Sequence, residues 1–104
     1  MANGILGQSS LTASTNTTVY TVPSSTTATF SVSFCNRNSS AVAVRLAVAS
    51  TGSPAAAEWF EYDATIPANG VLERTGIVAQ AAENVVVYAD SAGVSVSVYG
   101  FETT

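Results

Sequence analysis

Glu61 and Asp63 stand two residues apart in the segment EWFEYD, Glu58 to Asp63, which also holds three of the chain's nine aromatic residues (one Trp, four Tyr, four Phe). On a strand that spacing puts both acids on one face, about 6.5 to 7 Å apart, near the carboxyl separation of an inverting glycosidase. Two acids on one short strand cannot flank a bond from opposite sides, so glycoside hydrolysis is not the expected chemistry. Nor do they suffice for Ca²⁺, which takes six to eight oxygens, since no Asp-rich loop supplies the rest. Serine and threonine are abundant, but as nucleophiles they need a His or Lys base, and the sequence contains neither. Cys35 is the single cysteine, too little for a zinc site or a disulfide within one chain. It is expected as a buried or half-buried packing thiol. No catalytic, cofactor-binding or metal-ligating residue is assigned.

Binding is the remaining chemistry. Trp59 with Tyr62 and the neighbouring acids could stack on a sugar, but such clusters more often serve as core and interface. Alternation places Glu58, Phe60 and Tyr62 on one strand face, with Phe60 and Tyr62 inward, and Trp59, Glu61 and Asp63 on the other. Trp59 then covers a sheet edge or a neighbouring chain. Arg45 lies between Ala43 and Ala47 on one face, which leaves room for its stem to lie flat. Its guanidinium wants a carboxylate: Glu61, Asp63 or an acid of a second subunit. Trp and Arg are frequent interface anchors, so Arg45, Trp59, Glu61 and Asp63 are the candidate subunit-interface residues.

The elements that position these groups are strands. In Thr26 to Ala49, Ala28, Phe30, Val32 and Phe34 alternate with Thr and Ser, and Val42, Val44, Leu46 and Val48 alternate with Ala and Arg45. The reading is a hairpin joined by Asn36 to Ser40, each strand offering one apolar face to a core and small, uncharged side chains on the other. Residues 1–16 lack apolar periodicity and read as an N-terminal arm. The domain proper spans 17–104, beginning with the strand TTVYTV that Pro23 stops. A loop over 50–57 precedes the aromatic strand, the Asn69-Gly70 step marks a turn, and Val71 to Thr75 is a short strand. Ile77 to Glu83 is ambiguous: Ala79 to Ala82 could make one helical turn, too short to stand as a helix in its own right. NVVVYAD over 84–90 reads as a strand covered on both sides, and Val94 to Phe101 as the last. About seven short strands predict an all-β antiparallel β-sandwich, Ig-like or jelly-roll.

The composition bounds the partners. With 104 residues the chain has room for one domain and a core. Only 10% of residues are charged, against about 25% in typical soluble domains, which predicts that partner molecules cover much of the surface. Net charge is −4, with Arg37, Arg45 and Arg74 as the only cations. That excludes the basic stripe needed for nucleic acid and disfavours anionic membranes. No apolar run approaches the 18 to 20 or so residues of a membrane span, and the start MANGILGQSSLTA lacks a secretory signal's basic and apolar regions. Synthesis in a cytosol without export by that route is expected.

Several short runs, in order, carry a resemblance: Leu6-Gly7-Gln8, Val19-Tyr20-Thr21-Val22-Pro23, Phe34-Cys35-Asn36, Tyr62-Asp63 leading to Ile66-Pro67-Ala68-Asn69, Gly76-Ile77, and the valine strand before Tyr99-Gly100-Phe101. Together they make the chain similar to small β-sandwich virion structural proteins of tailed bacteriophages. The resemblance implies a capsid decoration (cement) protein, or a part of the tail, baseplate or fibre, and it carries over no catalytic residue. The expected partners are copies of the chain itself, as a homo-oligomer such as a trimer, and other virion proteins such as the major capsid protein. A virion assembled in the host cytoplasm is the expected location. A tail component touching a host glycan is the alternative, and a free-standing carbohydrate-binding module the third reading.

Overall fold

The structure, a computed structural model, describes residues 2–104. Eight strands make up the fold: β1 (Asn3–Ser10), β2 (Thr17–Thr21), β3 (Thr27–Asn36), β4 (Val42–Ala49), β5 (Trp59–Ile66), β6 (Val71–Ala79), β7 (Asn84–Ala89) and β8 (Val94–Thr103). A 3-10 turn over Ala56–Glu58 leads into β5. Sheet I has the order β1-β8-β3-β6 and sheet II the order β2-β7-β4-β5. All pairings are antiparallel. The pairs β4·β5, β3·β6, β2·β7 and β1·β8 are nested, as in one long four-stranded-deep hairpin, and β3·β8 and β4·β7 join when that hairpin rolls up. This is a jelly roll, the eight-stranded member of the expected sandwich class.

Only β4 to β5 connects neighbours within a sheet, and every other connection crosses from one sheet to the other. The expected β3–β4 hairpin is therefore corrected: β3 lies in sheet I and β4 in sheet II. A hairpin would turn both apolar faces to the same side. Crossing instead sets them opposite each other, so that Val32 and Phe34 bury against the layer containing Val44 and Leu46, all fully buried. Each such side chain contributes about 1.5 to 3 kcal/mol by leaving water.

The crossing is held by Asn36, the one fully buried polar residue among those described. Its side-chain amide donates to the carbonyls of Ser40 (2.9 Å), Ile66 (3.2 Å) and Pro67 (3.0 Å), and its side-chain oxygen accepts from the Asn38 amide (2.9 Å). One side chain thus satisfies the β3–β4 crossing and the β5–β6 turn together.

Residues 3–10, expected within an N-terminal arm over 1–16 rather than a strand, form the edge strand β1 against β8. Met1 of that arm lies outside the described residues. The strand escaped sequence reading because it is held by backbone pairing rather than by an apolar face: Ile5 is exposed and Leu6 only partly buried. Eight strands therefore replace the expected seven. The ambiguous 77–83 stretch resolves as the end of β6 followed by a turn, with the Glu83 amide donating to the Gln80 carbonyl (3.2 Å).

A polar tie closes each seam between the sheets. At one seam the Tyr20 hydroxyl, on β2, donates to Glu102 on β8, while the Tyr20 ring meets Phe30 edge-on at 6.2 Å. At the other, Arg74 on β6 pairs with Glu61 on β5 at 3.2 Å. Glycine permits the close approach of β1 to β2 at the first seam, where a Cβ on Gly7 would stand 2.3 Å from the Val19 carbonyl oxygen, and that of β8 to β3 within sheet I, where one on Gly100 would stand 2.1 Å from the Thr29 carbonyl oxygen.

Replacing Asn36 with Ala removes a donor from the Ser40, Ile66 and Pro67 carbonyls, of which the last keeps the Gly70 amide, and leaves the Asn38 amide without its acceptor, so urea denaturation is expected to show a loss of about 3 kcal/mol. The Tyr20–Glu102 tie makes stability depend on pH at both ends. Hydrogen bonds from Tyr20 and the Ala2 amide lower the Glu102 pKa, so its stabilisation is present above the ordinary glutamate range and is lost as pH falls through the lowered value. Burial and the bond to Glu102 raise the Tyr20 pKa well above its ordinary 10.0, so that stabilisation is present below the ordinary value and is lost as pH rises beyond it. Tyr20→Phe is expected to flatten the alkaline limb of a urea-midpoint profile and to shrink the acid limb.

Candidate functional site

The outer face of sheet II carries the residues singled out from the sequence. Arg45 projects outward from β4, where Ala43 and Ala47 leave it room, opposite Tyr88 of β7 on one side. On its other side β5 is irregular: its register with β4 shifts between Val44 and Leu46 and again between Leu46 and Ala47. Asp63 sits in the first irregularity with φ of 55°, a left-handed conformation that Asp tolerates better than most residues. Two residues of β5, Tyr62 and Asp63, thereby face the single Arg45.

Arg45 uses both. Its Nε donates to Asp63 Oδ1 at 2.7 Å and its Nη2 to Oδ2 at 3.4 Å. Its guanidinium carbon lies 4.1 Å from the ring centre of Tyr62 and 4.3 Å from that of Tyr88. The hydrogen bond to Asp63 holds the Arg45 pKa above its usual value. Trp59 lies against Ala47, Ala49 and Val86 and meets the Tyr62 ring edge-on at 5.4 Å. This explains how Val86 is fully buried on the outer face, as the NVVVYAD run predicted.

The β5 irregularities overturn the simple alternation. Tyr62 is not inward but 58% exposed, and Phe60 is 43% exposed. Glu61 does not share a face with Trp59 and Asp63: its register partner is the inward Leu46, and its carboxylate is taken by Arg74 at the seam. Of the four candidate interface residues, Trp59, Arg45 and Asp63 stand together and Glu61 apart. The two acids that prompted the glycosidase comparison engage different arginines on different sides of the strand. Tyr88, which completes the cluster, escaped notice because only the β4–β7 register places it opposite Arg45.

The outer face of sheet I is of another kind. β3 presents Thr29, Ser31 and Ser33 there, with Cys35 at one end. Cys35 is exposed, contrary to the expected buried or half-buried thiol, because Phe34 holds the inward parity and Cys35 falls on the opposite side. The neighbouring strands add exposed Phe101 and Val78, which flank Thr29 in one cross-strand row. Two charges reach this face. Glu73 accepts a hydrogen bond from the Tyr99 hydroxyl, and Arg37 donates to Ser95 (2.9 Å) and Ser10 (2.9 Å). Arg37 is the one arginine without a carboxylate partner among the described residues. Among those residues no cavity or cleft opens, and no three His, Cys, Asp or Glu side chains gather as metal ligands. No helix is long and apolar enough to cross a membrane.

A double-mutant cycle of Arg45→Ala with Asp63→Ala is expected to give a coupling below about 1 kcal/mol, since the pair is partly exposed. Arg45→Ala alone is expected to cost more than Asp63→Ala, because it also removes the contacts with two rings. Both follow from urea titrations. No family model matches the chain, and no curated protein or solved structure matches it.

Proposed function

We propose that this chain is a non-enzymatic virion structural protein of a tailed bacteriophage, acting as a head decoration protein that stabilises the capsid through surface contacts. The observation that carries the reading is the outer face of sheet I: a flat face of hydroxyl and apolar side chains on which both charged groups are already hydrogen-bonded within the chain. Such a face gains by being covered and gives a charged or catalytic ligand little to grip. The sequence offers no His or Lys to activate its hydroxyls. The jelly roll is an architecture of capsid domains, which supports the reading by analogy of fold, and the resemblance of the ordered short runs to small virion proteins supports it from the sequence. Contact with copies of itself and with the major capsid protein would act by mass action, each occupied surface adding stability to the bound particle.

The aromatic group of half-buried Trp59 and exposed Tyr62 on sheet II favours a second reading, a tail, baseplate or fibre component that touches a host glycan. The two readings separate on the particle. Imaging of purified particles is expected to show the chain on the outer surface of the head, and particles lacking it are expected to bind the purified chain and withstand a higher temperature. Finding it only in tail fractions, together with glycan binding lost in a folded Trp59→Ala variant, would favour the second reading. Absence from particles would overturn both.

A further inference from the structure

We infer that two copies of the chain pack the outer faces of sheet I together about a two-fold axis running along the strands, between β8 and β3. The inference rests on the virion reading only in its expectation of self-association, and it is carried by the relief of the face itself.

Across sheet I the order β1-β8-β3-β6 sets columns of unequal height side by side. A two-fold axis between the middle strands lays β8 of one copy on β3 of the other, and β6 on β1. The row that aligns Phe101 with Thr29 and Val78 then places Phe101 over the other copy's Thr29. The next row aligns Ile5, Tyr99 and Ser31, so Tyr99 falls over Ser31. Ile5, 58% exposed, falls over the irregularity where β6 shifts register between Ile77 and Arg74. There Gly76 has no side chain, and nothing lies within 4 Å of where its Cβ would be. At the far end Val71, 61% exposed on β6, meets Ser10 of β1. Phe101 and Tyr99 thus meet short hydroxyl side chains, Ile5 a glycine and Val71 a serine, while the row between sets Ser97 on Ser33 and Glu73 on Gln8, and the match needs no surface but a second copy of this one.

Charge follows the same operation. Glu73 of β6 swings over the β1 edge at Gln8, one row from where the other copy's Arg37 rests on Ser10 and Ser95. That supplies the carboxylate Arg37 lacks within its own chain, twice by symmetry. The area also suffices. Four strands about 4.8 Å apart and four side-chain rows about 6.7 Å apart make a flat area of about 500 Å². With side-chain relief this approaches the roughly 800 Å² per partner of a standard interface.

The test is sedimentation equilibrium of the full chain combined with alkylation of its native thiol. A dimer is expected, and Cys35, which the packing covers, is expected to react with a maleimide at least about tenfold more slowly above the dissociation constant than below it. Ser31→Arg, beside the axis, is expected to weaken the dimer at least about 100-fold by burying an unpaired charge, whereas Thr65→Arg on sheet II is expected to leave it intact. A monomer, a trimer, a dimer in which Cys35 reacts undiminished, or a dimer lost in Thr65→Arg would each overturn the inference. The wild-type labelling decides the matter even where Ser31→Arg fails to fold. Because these measurements use the isolated chain, their failure is separate from absence of the chain from particles.

Discussion

The side-chain amide of Asn36 donates to one carbonyl of the β3–β4 crossing and two of the β5–β6 crossing, and the rest of the architecture depends on crossings of that kind. Each sheet has one apolar face, and neither face can be buried except against the other. A chain that built each sheet from consecutive hairpins would also achieve this. This chain instead alternates between sheets at nearly every step, so that each connection must turn over the end of the core where unpaired backbone groups are costly. Asn36 meets that cost at one end, and Tyr20 with Glu102 and Arg74 with Glu61 tie the open seams along the sides.

Much of the interior was legible in the sequence because burial on a strand has a period of two. The inward sets of β3, β4 and β8 follow directly from alternation, β7 shows as a continuous apolar run, and the sandwich class follows from the number and spacing of the strands. Connectivity was not legible: the polar run Asn36 to Ser40 suits a tight hairpin and a crossing equally, and only the partners of the Asn36 amide distinguish them. β1 was missed for the opposite reason, since its stability comes from pairing with β8 and leaves no apolar signature. On the candidate surface the sequence brought out Arg45, Trp59 and Asp63 by residue type. It misplaced Tyr62, Phe60 and Glu61, because two extra residues in β5 break the parity from which their faces were read. The left-handed Asp63 is the physical origin of one of those breaks, and no Gly or Asn-Gly step announces it.

The two outer faces divide the surface chemistry between them. On sheet II, the charges and aromatic rings satisfy one another within the chain: Arg45 is held by a carboxylate and lies against two rings, and Trp59 covers the small residues beside it. On sheet I the side chains are short and hydroxylated, with isolated apolar groups standing above them. The scarcity of charge noted in the sequence is therefore not uniform in consequence, because one face is finished by its own side chains and the other leaves apolar groups standing above short hydroxylated ones. A protein whose association rests on such a face draws on burial and fit, with charge setting orientation.

That account is tested most directly by the heat of dissociation on dilution of the purified chain, measured at several temperatures and at low and high salt. Association through this sparsely charged face predicts a negative heat-capacity change on binding and a dissociation constant that changes by less than about threefold between 0.05 and 1 M salt. No heat of dissociation, or an affinity that falls steeply with salt, would contradict it.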